Sequence, residues 1–284
     1  MLHYEFDFMS EYIHGDRWMG IADASINLGY FGTTNLHRQT FGLENINKRA
    51  CVIYCKIDFL DEIFRIIQKS KFNHILITGN GDYPITQEKY NRKPENIKYW
   101  FSWNVTKELP NVIPIPLGLD RQAFPDINKQ NTRVIGNQLL HEKHSTDKLY
   151  VNFNVNTNVS NRQPILNMFS NSEFANVKSG LTYEAYISDV YNHNFILSPQ
   201  GNGIDCVRTW TAVYLKSIAI VQRNYINESF IKLGLPLVIC DDFSKINTNY
   251  LTDLHNQLIN KQFSYEAATV TYWKNRIEKC KQYL

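Results

Sequence analysis

The sequence lacks the features that would assign it to a membrane, a secretory or a nucleic-acid-binding class. Among its 284 residues, 30 basic residues face 27 acidic ones, and no block of Lys and Arg is longer than a dipeptide. This balance gives no support to binding of nucleic acid. No apolar run approaches the ~18 residues that span a bilayer, and no basic stretch followed by an apolar one opens the chain. We therefore expect a cytoplasmic protein without a secretion signal.

The sequence also lacks a cysteine framework and a metal-binding pattern. Its five cysteines are an odd number scattered through apolar segments, at positions 51, 55, 206, 240 and 280. This distribution predicts buried free thiols. Cys51 and Cys55 could share one face of a strand, but no His or Cys cluster supplies the remaining ligands of a zinc site. We predict no metal site. The 43% hydrophobic content is sufficient for one large or two ordinary domains.

The most informative stretch, residues 194–221, has the pattern strand, Gly-rich turn, helix, strand. A short apolar run ends at Pro199, and Gly201 and Gly203 allow backbone angles and close approaches that would leave amide groups facing a ligand. Asp205 is the predicted N-cap of a helix that runs to about residue 216, with Arg208 one turn inside it. A helix N-terminus carries roughly half a positive charge, so this turn suits a diphosphate. The alternative is an ordinary strand-to-helix connection without a ligand.

Similar alternation of strands and helices continues on both sides of this stretch. Predicted strands lie at 51–55, 74–78, 149–153, 217–221 and 237–240, and predicted helices begin near 58, 163, 183, 228, 249 and 265. This pattern is typical of doubly wound parallel sheets. The polar segment 126–133 is the predicted linker, which gives domains at 1–135 and 136–262 and a last helix at 263–284 that packs back on the first domain. Two such domains would face each other across a cleft.

Several motifs resemble those of the exostosin-like glycosyltransferases. They are Leu197-Ser-Pro-x-Gly-x-Gly-x-Asp-Cys-x-Arg-Thr-Trp, Leu235-Pro-Leu-Val-Ile, Asp241-Asp-Phe-Ser, Ile77-Thr-Gly-Asn-Gly-Asp-Tyr-Pro-Ile and Ile113-Pro-Ile-Pro-Leu-Gly-Leu. The resemblance covers about residues 50–245. It implies the GT-B fold, in which two Rossmann-like domains face across a cleft and the second binds a nucleotide-sugar. It also implies an inverting transfer of a hexose or pentose to a hydroxyl of a glycan or lipid-linked acceptor, as in polysaccharide synthesis.

The resemblance carries expectations about cofactors. The sequence contains no Asp-x-Asp, the motif that holds the divalent metal in GT-A enzymes. A GT-B enzyme instead neutralises the leaving diphosphate with its own Arg and a helix N-terminus. We therefore expect a metal-independent enzyme without a cofactor, for which the nucleotide-sugar is a substrate. A lipid-linked acceptor would be compatible with peripheral docking on a membrane.

The predicted donor-binding residues surround the Gly-rich turn. They are Ser198, Gln200, Gly201, Asn202, Gly203, Asp205, Arg208, Thr211 and, in the preceding helix, Arg162. The alternative for Arg162 is an exposed Arg at a helix start. Thr211 stands where the family commonly has a Glu that accepts hydrogen bonds from the donor ribose. Because a neutral bond contributes about 1 kcal/mol against roughly 1.5–3 for a charge-assisted one, either the affinity for the donor falls or another group supplies the contact. Asp205 is the nearest candidate for such a group.

A direct displacement also needs a base near the acceptor hydroxyl. Asp82 is the first candidate, because loops at the carboxyl ends of strands line the crevice of an open α/β sheet. Asp23 and His37 are further candidates. The alternative for Asp82 is a residue that stabilises its own turn. For the whole chain, the alternatives are a degenerate carbohydrate- or nucleotide-binding module and an epimerase or phosphate-transferring enzyme on the same fold.

Overall fold

The computed structural model describes residues 11–30, 36–119 and 125–284, with side chains except at positions 29–30, 36–37 and 125–131. The described strands form two separate sheets, one in each half of the chain. The predicted class, two Rossmann-like α/β domains facing each other across a cleft, is confirmed.

The first sheet has six strands in the order β2-β1-β3-β4-β5-β6. Strands β1 and β2 pair antiparallel, and all other neighbours pair parallel. The elements of this half are α1 (Gly15–Ile21), β1 (Ala24–Tyr30), β2 (Leu36–Phe41), β3 (Val52–Lys56), α2 (Leu60–Ile67), β4 (His74–Gly79), α3 (Gln87–Asn91), β5 (Ile97–Ser102) and β6 (Val112–Pro114).

Strands β3 and β4 are almost wholly buried, as expected of parallel strands with both faces covered. Helix α2 turns Leu60, Ile63, Phe64 and Ile67 inward, which is the spacing of a single helix face. Because β4 and β5 are parallel, the turn after β4 begins a crossover. Trp100 of β5 is fully buried in the core.

The second sheet is parallel throughout, in the order β11-β10-β9-β7-β8. Its elements are α4 (Pro125–Gln138), β7 (Thr146–Val151), α5 (Val159–Phe169), β8 (Ala175–Val177), α6 (Tyr183–Tyr191), β9 (His193–Ser198), α7 (Val207–Tyr214), β10 (Ile218–Val221), α8 (Tyr225–Lys232), β11 (Leu237–Ile239), α9 (Thr248–Leu258) and α10 (Val270–Lys281). The strand order reverses between β7 and β9. Such a switch point is where open α/β sheets bind ligands, outside the carboxyl ends of the strands.

Four elements differ from the sequence-based prediction. The segment predicted as a linker is helical and forms most of α4, which packs against α6 with Ile135 buried. Its polar composition shows no apolar period, and the packing of α4 against α6 outweighs this weak local preference for a helix. Strands β1 and β2 fall where no period was evident, and β8 is too short to give one. The domain boundary at 135, within α4, stays a prediction.

Helix α10 lies against the first half of the chain. Trp273 packs edge to face on Trp18, with 6.0 Å between the ring centroids. Thr269, just before α10, forms an antiparallel bridge with Tyr12. One buried cluster consequently runs from the first sheet through α7 to α10, and a second cluster fills the outer side of the second sheet.

Candidate functional site

A cleft of about 570 Å³ lies where the two sheets face each other. Its size falls within the range of about 300–1,000 Å³ that is usual for small-molecule sites. Loops at the carboxyl ends of β4, β5 and β6 line one side, and loops that follow β7 and β9 line the other. The cleft therefore coincides with the switch point of the second sheet.

Side chains at the start of α5 donate hydrogen bonds to the backbone of the loop after β9. Asn158 donates from Nδ2 to the carbonyl of Gly201 at 2.9 Å, and Asn161 donates to that of Gln200 at 3.3 Å. Arg162 donates to the carbonyls of Pro199 and Gln200, both at 3.0 Å. Because these carbonyl oxygens already accept hydrogen bonds from α5, their lone pairs are not directed at an anion in the cleft.

Arg162 is 5% exposed and all five of its N–H donors are engaged. Besides the two carbonyls after β9, it donates to the carbonyl of Asn154, the hydroxyl of Thr157 and the sulfur of Cys206. Burial and then the neighbouring Arg208 lower the pKa of its guanidinium. Arg162 is therefore not an exposed Arg at a helix start, and it has no free donor left for a phosphate. It joins the loops after β7 and β9, and it reaches the cleft only as a nearby charge.

Arg208, in the first turn of α7, is the cation with donors to spare. Its Nε donates to the carbonyl of Asn152 at 2.5 Å, and its guanidinium lies 5.4 Å from the ring centroid of Phe153. The Nη1 nitrogen is buried without a hydrogen-bond partner among the described residues, and the residue lines the cleft. A buried unpaired guanidinium nitrogen is costly unless an anionic or polar ligand completes it. Together with the helix N-terminus, it makes this side of the cleft suited to a negatively charged group.

The two glycines of the turn meet one of the two predicted requirements. Neither Gly201 nor Gly203 has a positive φ, so unusual backbone angles are not the reason for glycine. A Cβ on Gly201 would lie 2.8 Å from Nη2 of Arg162, and one on Gly203 would lie 2.9 Å from Nδ2 of Asn104. Close approach is therefore required, as expected, but by the protein's own side chains. Both glycines and the exposed Asn202 between them line the cleft.

Asn104, which the sequence-based prediction missed, connects the two halves beneath the cleft. Its Oδ1 accepts from the backbone N–H of Ile204 at 2.8 Å and of Asp205 at 3.1 Å. Its Nδ2 donates to the carbonyl of Gly81 in the first half at 3.2 Å. The backbone of Asn104 is left-handed, with φ at 52°. An isolated Asn after a strand gives no sequence signal for such a long-range role.

Asp205 is a second connection between the halves. One carboxylate oxygen accepts from the N–H of Leu117 at 2.9 Å and from the indole N–H of Trp210 at 2.8 Å, and the other accepts from the N–H of Cys206 at 2.8 Å. Burial raises the pKa of Asp205 to about 6, against the lowering effect of these three donors. With its acceptors engaged, Asp205 is poorly placed to replace a family Glu at the ribose. Helix α7 begins one residue later than predicted, with Cys206 as N-cap.

Three other predicted donor contacts lie behind the cleft wall. Ser198 is buried and its hydroxyl bonds to that of Thr209 at 2.9 Å. Thr211 is 1% exposed and donates to the carbonyl of Val207 one turn earlier. Gln200 contributes its carbonyl to Arg162. None of Ser198, Gln200 and Thr211 is among the residues that line the cleft. Ser198 and Thr211 are buried because Ser198 ends a buried strand and Thr211 lies on the core side of α7, whereas Gln200 is half-buried in the loop between them.

Asp82 lies on the first-half side of the cleft. It is exposed, and its carboxylate has no hydrogen-bond partner among the described residues, so no side-chain bond stabilises its own turn. Asp23 does not belong to the cleft. It precedes β1, at the amino end of the strands, where it accepts from the N–H of Val52 and pairs with Lys281 at 3.7 Å. For His37, only its backbone in β2, opposite Gly29, is within the described part of the structure.

Two side chains beside Asp82 were not predicted as site residues. Asn80 follows β4 and Trp103 follows β5, and both line the cleft with Gly15. Asn80 has a positive φ of 54°. Trp103 is 6% exposed, as expected for a core residue, yet its ring also forms part of the cleft wall.

Cys206 lines the cleft between the two arginines. Burial raises the pKa of its thiol, and the positive charges of Arg208 and Arg162 act in the opposite direction. Within the described ranges, no group of three His, Cys, Asp or Glu side chains could hold a metal ion. Of the helices described, none combines the length and apolarity that crossing a bilayer requires.

No family model matches the chain, and no curated protein matches it. The resemblance to exostosin-like enzymes therefore stays a prediction. Among solved structures, the chain is similar to the GtfA/B complex, with 12% identity, a TM-score of 0.40 and coverage of 86% of this chain and 62% of that one. It therefore spans less than two thirds of the length of that neighbour.

Two further solved structures have comparable similarity. The UDP-GlcNAc 2-epimerase from Methanocaldococcus jannaschii is 11% identical with a TM-score of 0.38, and 85% of this chain covers 81% of that one. AviGT4, a glycosyltransferase involved in Avilamycin A biosynthesis, is 9% identical with a TM-score of 0.37, and 84% of this chain covers 76% of that one.

Proposed function

We propose that the chain is a glycosyltransferase that binds a nucleotide-diphosphate sugar in the cleft and transfers the sugar to a hydroxyl of a glycan or lipid-linked acceptor. The observation that carries the proposal is the buried, unpartnered Nη1 of Arg208 at the cleft wall. A diphosphate would accept from this nitrogen and lie at the N-terminus of α7, and both contacts stabilise negative charge.

The same contacts suit the chemistry of transfer. When the glycosidic bond to the diphosphate breaks, negative charge develops on the leaving phosphate oxygen. A guanidinium and oriented backbone dipoles in a partly dry site stabilise that charge more than they stabilise the intact donor. We therefore propose a metal-independent reaction, and we expect turnover to continue in the presence of a chelator.

Asp82 is the proposed base for an inverting displacement. Its carboxylate lines the first-half side of the cleft and is not committed to another group among the described residues. A base in hydrogen-bond reach of the acceptor hydroxyl contributes about 10²–10⁴ in rate. Asp82→Asn should therefore lower kcat by a comparable factor while the affinity for the nucleotide stays within about twofold, because the base does not contact the diphosphate.

The first experiment is a thermal-shift screen of the whole chain against UDP, GDP, CMP and dTDP and their sugar conjugates, without added metal. A nucleotide at about 100 times its dissociation constant should stabilise the fold by about 2.7 kcal/mol, a shift of a few degrees at this size. In Arg208→Ala, loss of a charge-assisted bond should weaken binding roughly tenfold to hundredfold. Arg92→Ala is the matched control, because Arg92 is an exposed Arg paired with Asp61 outside the cleft.

A shift with one nucleotide class that falls to about half or less in Arg208→Ala and is kept in Arg92→Ala supports the donor site. Equal shifts in the two variants, or none with any nucleotide, would refute it. The degenerate module is the second candidate, because Thr211 is buried and Asp205 is committed, which leaves the ribose without the family's acidic partner. Binding without product across hydroxyl acceptors would favour that candidate.

A further inference from the structure

The tryptophans differ in how their indole N–H groups are satisfied. Four of the five donate to an acceptor within the protein at 2.8–3.1 Å: Trp18 to Pro116, Trp100 to Thr78, Trp210 to Asp205 and Trp273 to Ala267. The fifth, Trp103, has a buried N–H without a partner among the described residues. Its ring is also the one tryptophan ring among the residues that line the cleft.

Asn80, like Trp103, has buried side-chain polar atoms that lack a hydrogen-bond partner among the described residues. Both polar atoms of its side-chain amide are buried, and neither has a hydrogen-bond partner in the described part of the chain. Buried amides and indoles are normally paired, because an unmet group forfeits its hydrogen bonds to water. Asn80 and Trp103 together present two kinds of donor and one acceptor on the first-half wall of the cleft.

The packing around these two side chains holds them in place. A Cβ on Gly15 would lie 2.0 Å from Oδ1 of Asn80 and 3.3 Å from the ring of Trp103. A Cβ on Gly79 would lie 3.1 Å from the same ring. Both side chains therefore rest directly on glycine backbone, and the positions of their polar atoms are set before a ligand arrives. Such preorganisation lowers the entropic cost of binding.

The chemistry of this wall selects for hydroxyl groups. It offers an amide C=O, an amide NH₂ and an indole N–H, whereas the cations of the cleft, Arg162 and Arg208, belong to the other half. A phosphate cannot donate to the amide oxygen, but adjacent hydroxyls can both donate and accept. We infer that Asn80 and Trp103 form a subsite for the hydroxyls of a sugar ring. The inference deepens the proposed function and rests on it for the placement of the diphosphate at Arg208.

The sugar could be that of the donor or that of the acceptor, and one titration separates the two sources. Uniformly ¹⁵N-labelled protein should give five indole N–H resonances, and Trp103→Phe identifies that of Trp103. The probes are the four nucleotides alone, then UDP-glucose, UDP-N-acetylglucosamine, UDP-galactose, UDP-xylose and GDP-mannose. A second series adds the methyl glycosides of the same sugars to the protein with and without nucleotide.

We expect the nucleotides alone to leave the Trp103 resonance in place and at least one sugar to move it. A shift with a nucleotide-sugar places the donor sugar at the subsite, and a shift only with a methyl glycoside places the acceptor there. The four paired indoles should move much less. If a nucleotide binds and no sugar moves the resonance, the subsite is refuted while the donor site stands. If no nucleotide binds but a glycoside moves it, the proposed function fails and the subsite remains. If nothing binds, both are refuted.

Variants give an independent test. Trp103→Phe replaces the indole by a smaller aromatic ring without the N–H donor, and it should weaken binding of the responding sugar about fivefold, the effect of one neutral hydrogen bond. Asn80→Gly keeps the left-handed backbone and removes the amide, and it should weaken the sugar more, by about thirtyfold. Affinity for the nucleotide alone should be unchanged in both. Trp273→Phe is the control, because the indole N–H of Trp273 donates to the carbonyl of Ala267 and neither residue lines the cleft. Unchanged sugar affinity in both cleft variants would overturn the inference.

Discussion

Removal of the Asn104 side chain should loosen the connection between the two halves. Asn104 is 1% exposed, and its amide accepts from Ile204 and Asp205 of the second half while donating to Gly81 of the first. Without it, two backbone N–H groups and one carbonyl lose their partners. Since an unsatisfied buried group costs about 1–3 kcal/mol and water will reach some of these, we expect Asn104→Gly to lower the free energy of unfolding by roughly 2–4 kcal/mol.

The backbone conformation permits a finer comparison. Because φ of Asn104 is 52°, glycine relieves the backbone whereas alanine adds a strain of roughly 1–2 kcal/mol. Asn104→Ala should therefore be the less stable of the two variants. At this chain length, 2–4 kcal/mol corresponds to a fall in Tm of about 3–7 °C.

Asn111 provides the matched control. It also has a positive φ, of 58°, but it is exposed, and no side-chain hydrogen bond involves it among the described residues. Asn111→Gly should be close to neutral, and Asn111→Ala should show the strain alone. Urea unfolding followed by circular dichroism measures all four variants. If Asn104→Gly is as stable as Asn111→Gly, the amide does not connect the halves, and the argument is refuted.

Three further predictions concern the same region. Arg162→Lys keeps the charge but not the five-donor fork, so the free energy of unfolding should fall by roughly 3 kcal/mol, and an unchanged urea midpoint would contradict the pairing described above. Gly203→Ala should cost about 1–3 kcal/mol through contact with the Asn104 amide, and a double-mutant cycle should show that the cost largely disappears in Asn104→Gly. For Asp205, whose pKa burial raises to about 6, the native state binds the proton more tightly than the unfolded chain does. The unfolding free energy of the natural chain should therefore rise relative to Asp205→Asn as pH falls from 6 to about 4, by up to about 3 kcal/mol; a difference independent of pH would show that Asp205 does not titrate in this range.

Elements marked by a local sequence signal, such as a helix cap or a helical spacing of apolar residues, could be predicted. Helix α6 begins at the predicted residue, 183, because Thr182 caps it and Ile187, Val190 and Tyr191 form one buried face. The turn after β9 and the cation in α7 were likewise evident from Pro199 and the spacing of Gly201 and Arg208. Arg208 lines the cleft as predicted, although its role as a donor contact stays a prediction.

The remaining features depend on contacts between distant parts of the chain. The partners of Asn104 lie about a hundred residues further along, so no spacing rule connects them. The same holds for Asp205 and Leu117. Arg162 resembled a ligand-binding Arg because the sequence shows its charge but not the five acceptors that the fold assembles around it. Sequence identified the chemistry available at the cleft, and packing determined which groups were left free to use it.

The return of α10 to the first half has a consequence for the order of synthesis. Trp18 belongs to the part of the chain that leaves the ribosome early, whereas its partner Trp273 and the bridging residue Thr269 leave it late. The strands of the second sheet, by contrast, all lie within residues 146–239, before α10 is made. The half that is translated first is therefore completed last, and until then the apolar surface that α10 will cover stays exposed to solvent.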